Sequence, residues 1–336
     1  MGTDTLLIHI SQLHIDKISS KSHKSFPPEA KMSRIPRFLK SDTSTIYHIM
    51  SRTALDGYPL SDVGKEVLLE LIRKFSSFYV VDVLGFALMG NHFHLAVRMH
   101  STNEISDDAI RKRMETWYAD GRFITPAAIS RHKKMLTSLS HYMKSIKQAF
   151  TRYYNKTHNR RGFFWGDRFK SVIVEDGPTL INLLAYIDLN PVRAGLVQKP
   201  EDYRWNTLGY HTGNGNIDEF LNTDFGMKEW NEYDPAEILS KYREFVYETG
   251  ALDTGKGKAM DSALVQAERI KKYLLTRAER FKYRTRYFTD SGIIGSKAFV
   301  QEAFDGIKHL LGSKDERRFT PVAGVKGMYS MKKLQG

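Results

Sequence analysis

The run Leu88-Met89-Gly90-Asn91-His92-Phe93-His94-Leu95-Ala96-Val97 sets two histidines two positions apart in a stretch that reads as a β-strand. Side chains alternate faces along a strand, so His92 and His94 share one face and Phe93 points to the other. Two imidazoles side by side make half of a metal site. The other half is expected on a helix from about Pro178 to Asn190, where Tyr186 and Asn190 stand four residues apart, one turn along the same face. A phenol, with an ordinary pKa near ~10, is a poor nucleophile. It gains from a cation that polarises and orients a target phosphate. Asn190 offers such a cation a neutral oxygen. Spacing alone leaves a second reading open, in which Tyr186 is a half-buried core residue and Asn190 only ends a helix before Pro191.

The elements that must position these residues follow from periodicity. Thr45 to Ser51 alternates like a first strand. Ser61 to Phe78 has helical spacing, with Val63, Val67, Leu68, Leu71, Ile72 and Phe75 on one side and Ser61 as N-cap. Tyr79 to Met89 reads as a strand, Gly90-Asn91 as a tight turn, and His92 to Met99 as the returning strand. Residues 101–128 read as an irregular or partly helical insertion, and about Ala128 to Thr157 as one long helix. A strand over Lys170 to Val174 precedes the helix carrying Tyr186, which Pro191 is expected to close. The sum is an α+β domain, an antiparallel sheet with helices packed on one face.

Composition bounds the function. With 336 residues, 41% hydrophobic and 26% charged, the chain can bury a sizeable core. No apolar run approaches the roughly 18 residues that cross a bilayer, so no membrane association is expected. The short apolar patch Thr5 to Ile10 lacks the flanks of a signal peptide. The absence of cysteine excludes disulfides, thiolate ligands and cysteine nucleophiles, and fits a cytoplasmic, nucleoid-associated protein.

A net charge of +13 and a pI near 9.6 point to a polyanionic partner. The excess is uneven. Glu201 to Thr254 holds twelve acids against four Lys/Arg, whereas Gly255 to Gly336 holds eight against eighteen. This divides the chain into a flexible extension (1–43), a first domain (44–200), an acidic connecting region (201–254) and a basic, mainly helical C-terminal module (255–336) with a possible helix-turn-helix near residues 294–300. Pro27-Pro28 lies in the extension, and Met32 is a candidate natural start. Between Arg131 and Lys170 lie eleven Lys/Arg and one acid, Asp167, interleaved with aromatics. Basic groups neutralise phosphates and exposed aromatics stack on unpaired bases. The expected contacts are Lys147, Arg152, Arg160, Arg161, Trp165, Arg168, Lys170 and, beyond the helix end, Arg193.

Four blocks in order carry a resemblance. They are Tyr47 to Arg52, the stretch around His92 and His94, Gly162-Phe163-Phe164-Trp165-Gly166-Asp167-Arg168-Phe169-Lys170-Ser171, and Ala185-Tyr186-Ile187-Asp188-Leu189-Asn190-Pro191-Val192-Arg193-Ala194-Gly195-Leu196-Val197. Together they resemble the single-tyrosine HUH transposases of the REP-associated type, over roughly residues 32–210. The resemblance implies a ferredoxin-like sheet, with His92 and His94 as the metal-binding pair. It further implies that Tyr186 attacks single-stranded, hairpin-bearing DNA to leave a 5′-phosphotyrosine and a free 3′-hydroxyl. Asn190 sits where related transposases carry an amide ligand. Imidazoles alone would favour zinc or another transition metal, whereas the resemblance implies Mg²⁺ or Mn²⁺, and a monomer or homodimer. Two other classes are kept: a non-catalytic hairpin-binding protein, and a metal-dependent hydrolase using water with Glu175 or Asp176 as base.

Overall fold

The computed structural model describes residues 43–121, 123–215, 219–222, 235–252 and 257–274, together with Leu39 and a few residues between 294 and 330. Strands β1 (Thr45–Arg52), β2 (Val81–Leu88), β3 (His92–Met99) and β4 (Lys170–Val174) form one antiparallel sheet in the order β2-β3-β1-β4. Helix α1 (Asp62–Phe78) connects β1 to β2. Helices α2 (Asp107–Tyr118), α3 (Pro126–Leu136) and α4 (Leu139–Thr157) connect β3 to β4, and α5 (Pro178–Arg193) follows β4.

Strand alternation splits the core in two. Tyr47, Ile49, Phe93, Leu95 and Val97 pack with Leu68, Leu71, Ile72 and Phe75 of α1 and Tyr142, Ile146 and Phe150 of α4. Ile46, Ala87 and Ala96 pack on the opposite face with Leu180, Leu184 and Ile187 of α5. The expectation of helices on one face is therefore corrected: both faces are covered. The reason is that the second face is itself apolar enough to need a lid. Its approach to α5 is close, since a Cβ on Gly85, at an irregularity in β2, would lie 2.6 Å from Leu184 and 2.9 Å from Thr207 Oγ1.

Local chemistry sets the helix boundaries. The Ser61 hydroxyl accepts from Gly64 N at 3.2 Å and so caps α1. The long helix expected over 128–157 is broken, because Ser138 caps α4 afresh after α3 ends at Leu136. A full helix, α2, lies in the stretch read as an irregular or partly helical insertion, capped by Ser106. Pro191 does not close α5, which runs to Arg193. A proline cannot donate to the carbonyl four residues back. Here the Asn190 side-chain amide donates to Ile187 O at 3.3 Å, supplying a substitute for that missing bond.

The acidic stretch and the start of the basic module supply part of the second core. Helices α6 (Thr207–Asn214), α7 (Pro235–Ala251) and α8 (Ser262–Ile270) contribute Leu208, Tyr242, Val246, Tyr247 and Val265 to the cluster under α5. Packing continues across both boundaries expected at 201 and 255. A buried polar network ties these helices down. Tyr242 Oη donates to Asp188 Oδ2 at 2.7 Å, and Leu208 N donates to Asp188 Oδ1 at 3.0 Å. Arg243, 1% exposed, bridges Glu201 at 2.5 Å and Glu268 at 3.1 Å and also bonds Tyr273 O.

The expected extension over 1–43 and the helix-turn-helix fall almost wholly outside the described residues. Where the C-terminal module is described beyond α8, three short antiparallel strands appear, β5 (Ile294–Gly295), β6 (Thr320–Pro321) and β7 (Tyr329–Ser330), in the order β5-β7-β6. Among the described residues no helix is long and apolar enough to cross a membrane.

Burial pushes the Asp188 carboxyl from its ordinary value up to about 7. The folded chain then holds a proton that the unfolded chain loses near pH ~4, so this group's contribution falls as pH rises from ~4 to ~7 and is flat above. Asp188→Asn, which keeps an acceptor for Leu208 N, is expected to remove that slope in urea unfolding. Asp188→Leu leaves the Tyr242 hydroxyl and Leu208 N–H unpaired, at about 2–4 kcal/mol.

Candidate active site

The second face of the sheet carries the histidines. His94 lies opposite Met50 in β1 and Ala87 in β2, and His92 lies opposite Arg52. His48, on the same face of β1, approaches His94: His48 Nε2 and His94 Nδ1 are 2.9 Å apart, with the rings stacked at 5.2 Å and 18°. His92 stands edge-on to His94 at 5.2 Å, and its Nδ1 bonds Asn91 Oδ1 at 2.7 Å.

Helix α5 lays Tyr186 over this cluster. Its ring centroid is 5.6 Å from that of His94 and 6.0 Å from that of His48, both edge-on. Tyr186 is 40% exposed while its helix neighbours Ala185, Ile187 and Asp188 are buried. The helix is thus held by its apolar face and leaves the phenol open to solvent. The Arg193 guanidinium lies 5.6 Å from the Tyr186 ring centroid, a cation over the aromatic face. Asn190 Nδ2 donates to Tyr186 O at 2.8 Å and to Ile187 O, which leaves Oδ1 as the amide atom available to a ligand.

Desolvation keeps the imidazoles neutral. Burial lowers His48 to about 4. Burial, with the neighbouring His48 and His92, lowers His94 to about 3. His92 is also lowered, by burial and then by the Arg52 charge.

His92, His94 and Asn190 carry donor atoms of the kinds that divalent cations take. Metal-binding histidines commonly commit one ring nitrogen to a second partner and ligate through the other. His92 and His94 both engage Nδ1 and leave Nε2 unassigned. Among the described residues no group of three or more His, Asp or Glu is assembled as a metal cage. Remaining coordination positions would fall to the Asn190 amide oxygen and to substrate oxygens.

The expected nucleic-acid contacts separate into two groups. Trp165 is core: it is 8% exposed, packs edge-on against Phe93 at 5.3 Å, and donates Nε1 to Lys147 O at 3.0 Å. Its flanking basic residues suggested a surface position, but the apolar ring fills the space between β3 and α4. Lys147 is engaged beside it, donating to Asp167 O at 2.7 Å. Arg160 is half-buried, 5.9 Å over Tyr154. Arg152, Arg161, Arg168 and Lys170 are exposed. The exposed aromatic in this region is Phe163, at 86%. Backbone bonds from Ala54 N to Phe164 O (2.8 Å) and from Gly166 N to Arg52 O (3.0 Å) fasten its loop to the end of β1 beside His92.

No protein-family model matches the chain, and no curated protein does. Among solved structures, one of a REP-associated tyrosine transposase bound to a REP hairpin is similar at a TM-score of 0.40 and 14% identity, covering 69% of this chain and 100% of that one. The likeness is a distant one of fold.

Sequence reasoning missed three residues at the site: His48, Arg52 and Asn91. Alternation in Tyr47-His48-Ile49 put His48 on a face, but only the β1–β3 register brings it to His94.

The depressed histidines make acid destabilising. Unfolded histidines take up protons below pH ~6.5 that folded His48 and His94 refuse until about pH 4 and 3. Stability should therefore fall as pH drops from ~6.5 to ~4, by on the order of 1.4 kcal/mol per pH unit per histidine. Denaturant midpoints in an Asp188→Asn background, free of the opposing slope, should show this, and His48→Gln should remove its own share.

Proposed function

We propose that the chain is a DNA transposase or endonuclease that cuts and rejoins single-stranded, hairpin-bearing DNA through a covalent link to Tyr186. The observation that carries this reading is the placement of a solvent-open tyrosine against the histidine pair of its own chain, 5.6 Å from His94 between ring centroids. The sheet order β2-β3-β1-β4 with α1 between β1 and β2 agrees with a ferredoxin-like core.

In the first step the Tyr186 phenolic oxygen attacks the scissile phosphorus and loses its proton to solvent or to a basic group. The bond from phosphorus to the 3′-oxygen breaks, leaving a 3′-hydroxyl and a 5′-phosphotyrosine. A 3′-hydroxyl then attacks that phosphotyrosine, expelling Tyr186 and restoring a phosphodiester, so no nucleotide energy source is required. Mg²⁺ or Mn²⁺ held through Nε2 of His92 and His94 and the Asn190 amide would polarise the phosphate as a Lewis acid. Arg193, beside the phenol, is placed to steady the charge that develops there.

Binding is assigned to the exposed Arg152, Arg161, Arg168 and Lys170, which neutralise phosphates, and to Phe163, which stacks on an unpaired base next to the site. The water-using alternative has a geometric difficulty. Asp176 is bound to Arg98 at 2.8 Å. Val174, two residues before it, pairs with Ile46, at the opposite end of β1 from Arg52 and His92. Six residues of strand separate the two ends, roughly 20 Å.

A labelled single-stranded hairpin incubated with Mn²⁺ should give a protein–DNA band that survives denaturing electrophoresis. Tyr186→Phe should abolish that band while leaving hairpin affinity within a few-fold. Cleavage without an adduct would instead support the hydrolase, and binding without cleavage the non-catalytic reading. Phe163→Ala should weaken single-strand binding by about 1–3 kcal/mol. Arg161→Ala should lower the slope of log affinity against log salt by about 0.7–0.9.

A further inference from the structure

We propose that His48 is a positioning residue: it holds His94 in the tautomer that can ligate a divalent cation. The inference rests on the proposed cation site and assigns a role to a residue outside the His92/His94 pair.

The argument is one of proton count. His48 Nε2 and His94 Nδ1 lie 2.9 Å apart, and both side chains are buried, at 8% and 4% exposure. A hydrogen bond between two ring nitrogens needs one N–H and one lone pair. If His48 donates, His94 Nδ1 is the acceptor and the single His94 proton sits on Nε2, which closes that nitrogen to a cation. If His94 donates, its proton sits on Nδ1 and its Nε2 lone pair is free. Only the second arrangement serves a metal site, and His48 Nε2 is the acceptor that permits it.

Geometry fixes the ring as well as the proton. His48 and His94 come from adjacent antiparallel strands in a register with Met50 opposite His94 and Ala96 opposite His48. Their rings are stacked at 18°, so the donor and acceptor are held by two strands of the sheet. His92 achieves the same end by a different route, with Asn91 Oδ1 at its Nδ1. An outer partner on each ligating histidine is the arrangement that raises ligand basicity and fixes orientation.

The test is Mn²⁺ binding to the full-length, DNA-free protein by titration calorimetry, comparing the native chain with His48→Leu and His48→Gln. Leucine fills the space without an acceptor. Glutamine places an amide oxygen near the position of the imidazole Nε2. His48→Leu should weaken Mn²⁺ binding about 10- to 100-fold, and His48→Gln should restore it to within a few-fold of native. A long-range proton–nitrogen NMR spectrum of the native chain with Mg²⁺ should show the His94 proton on Nδ1. Native binding that is unchanged in His48→Leu, equal losses in both variants, or a His94 proton on Nε2 would overturn the proposal. A native chain that binds no Mn²⁺ would overturn the cation site itself, and this proposal with it.

Discussion

Everything at the site depends on β3 being covered on both faces. Phe93, Leu95 and Val97 are buried against α1 and α4, while Ala96 lies under α5, on the face that also carries His92 and His94. A one-residue slip of this strand would exchange the two sets, burying imidazoles among the apolar side chains of α1 and α4 and setting Phe93 where the site's histidines stand. The register is therefore secured by the hydrophobic effect on one face, and the chemistry on the other inherits its precision. Apolar burial of this kind contributes roughly 25 cal/mol per Å². The histidines are placed by their neighbours more than by their own contacts.

The same logic places the tyrosine. Helix α5 is held by Leu180, Leu184 and Ile187 toward the sheet and by Leu189 beside Gly250 of α7, with Asp188 anchored to Tyr242 and Leu208. Tyr186 is left on the flank that meets the histidines and solvent. Helices contributed by residues 207–270 thus bear on the orientation of a side chain far from them in sequence. Rigid support of a reacting group from elements outside the site is what catalytic geometry requires.

Much of this was readable from the chain. Alternation assigned His92 and His94 to one face, and helical spacing gave α5 with Tyr186 and Asn190 a turn apart. What was not readable depends on contacts distant in sequence. His48 joins His94 across 46 residues through a strand register that no single segment encodes. Trp165 looked like a surface aromatic because its neighbours are basic, yet Phe93 and Phe150 close around it. The acidic stretch looked like a connector because charge dominates its composition, while the few apolar residues that matter, Tyr242, Val246 and Tyr247, are spaced to meet α5. The continuation of α5 past Pro191 needed an amide one residue earlier to take over a backbone bond.

The central claim is that Tyr186 becomes the covalent link to DNA, and peptide mapping tests it most directly. The protein would be trapped on a single-stranded hairpin with Mn²⁺, digested with nuclease and protease, and sequenced by tandem mass spectrometry. The account predicts a nucleotide phosphate on the peptide spanning residues 178–193, localised to Tyr186. A nucleotide on any other residue, or cleaved DNA with no modified peptide, would contradict it.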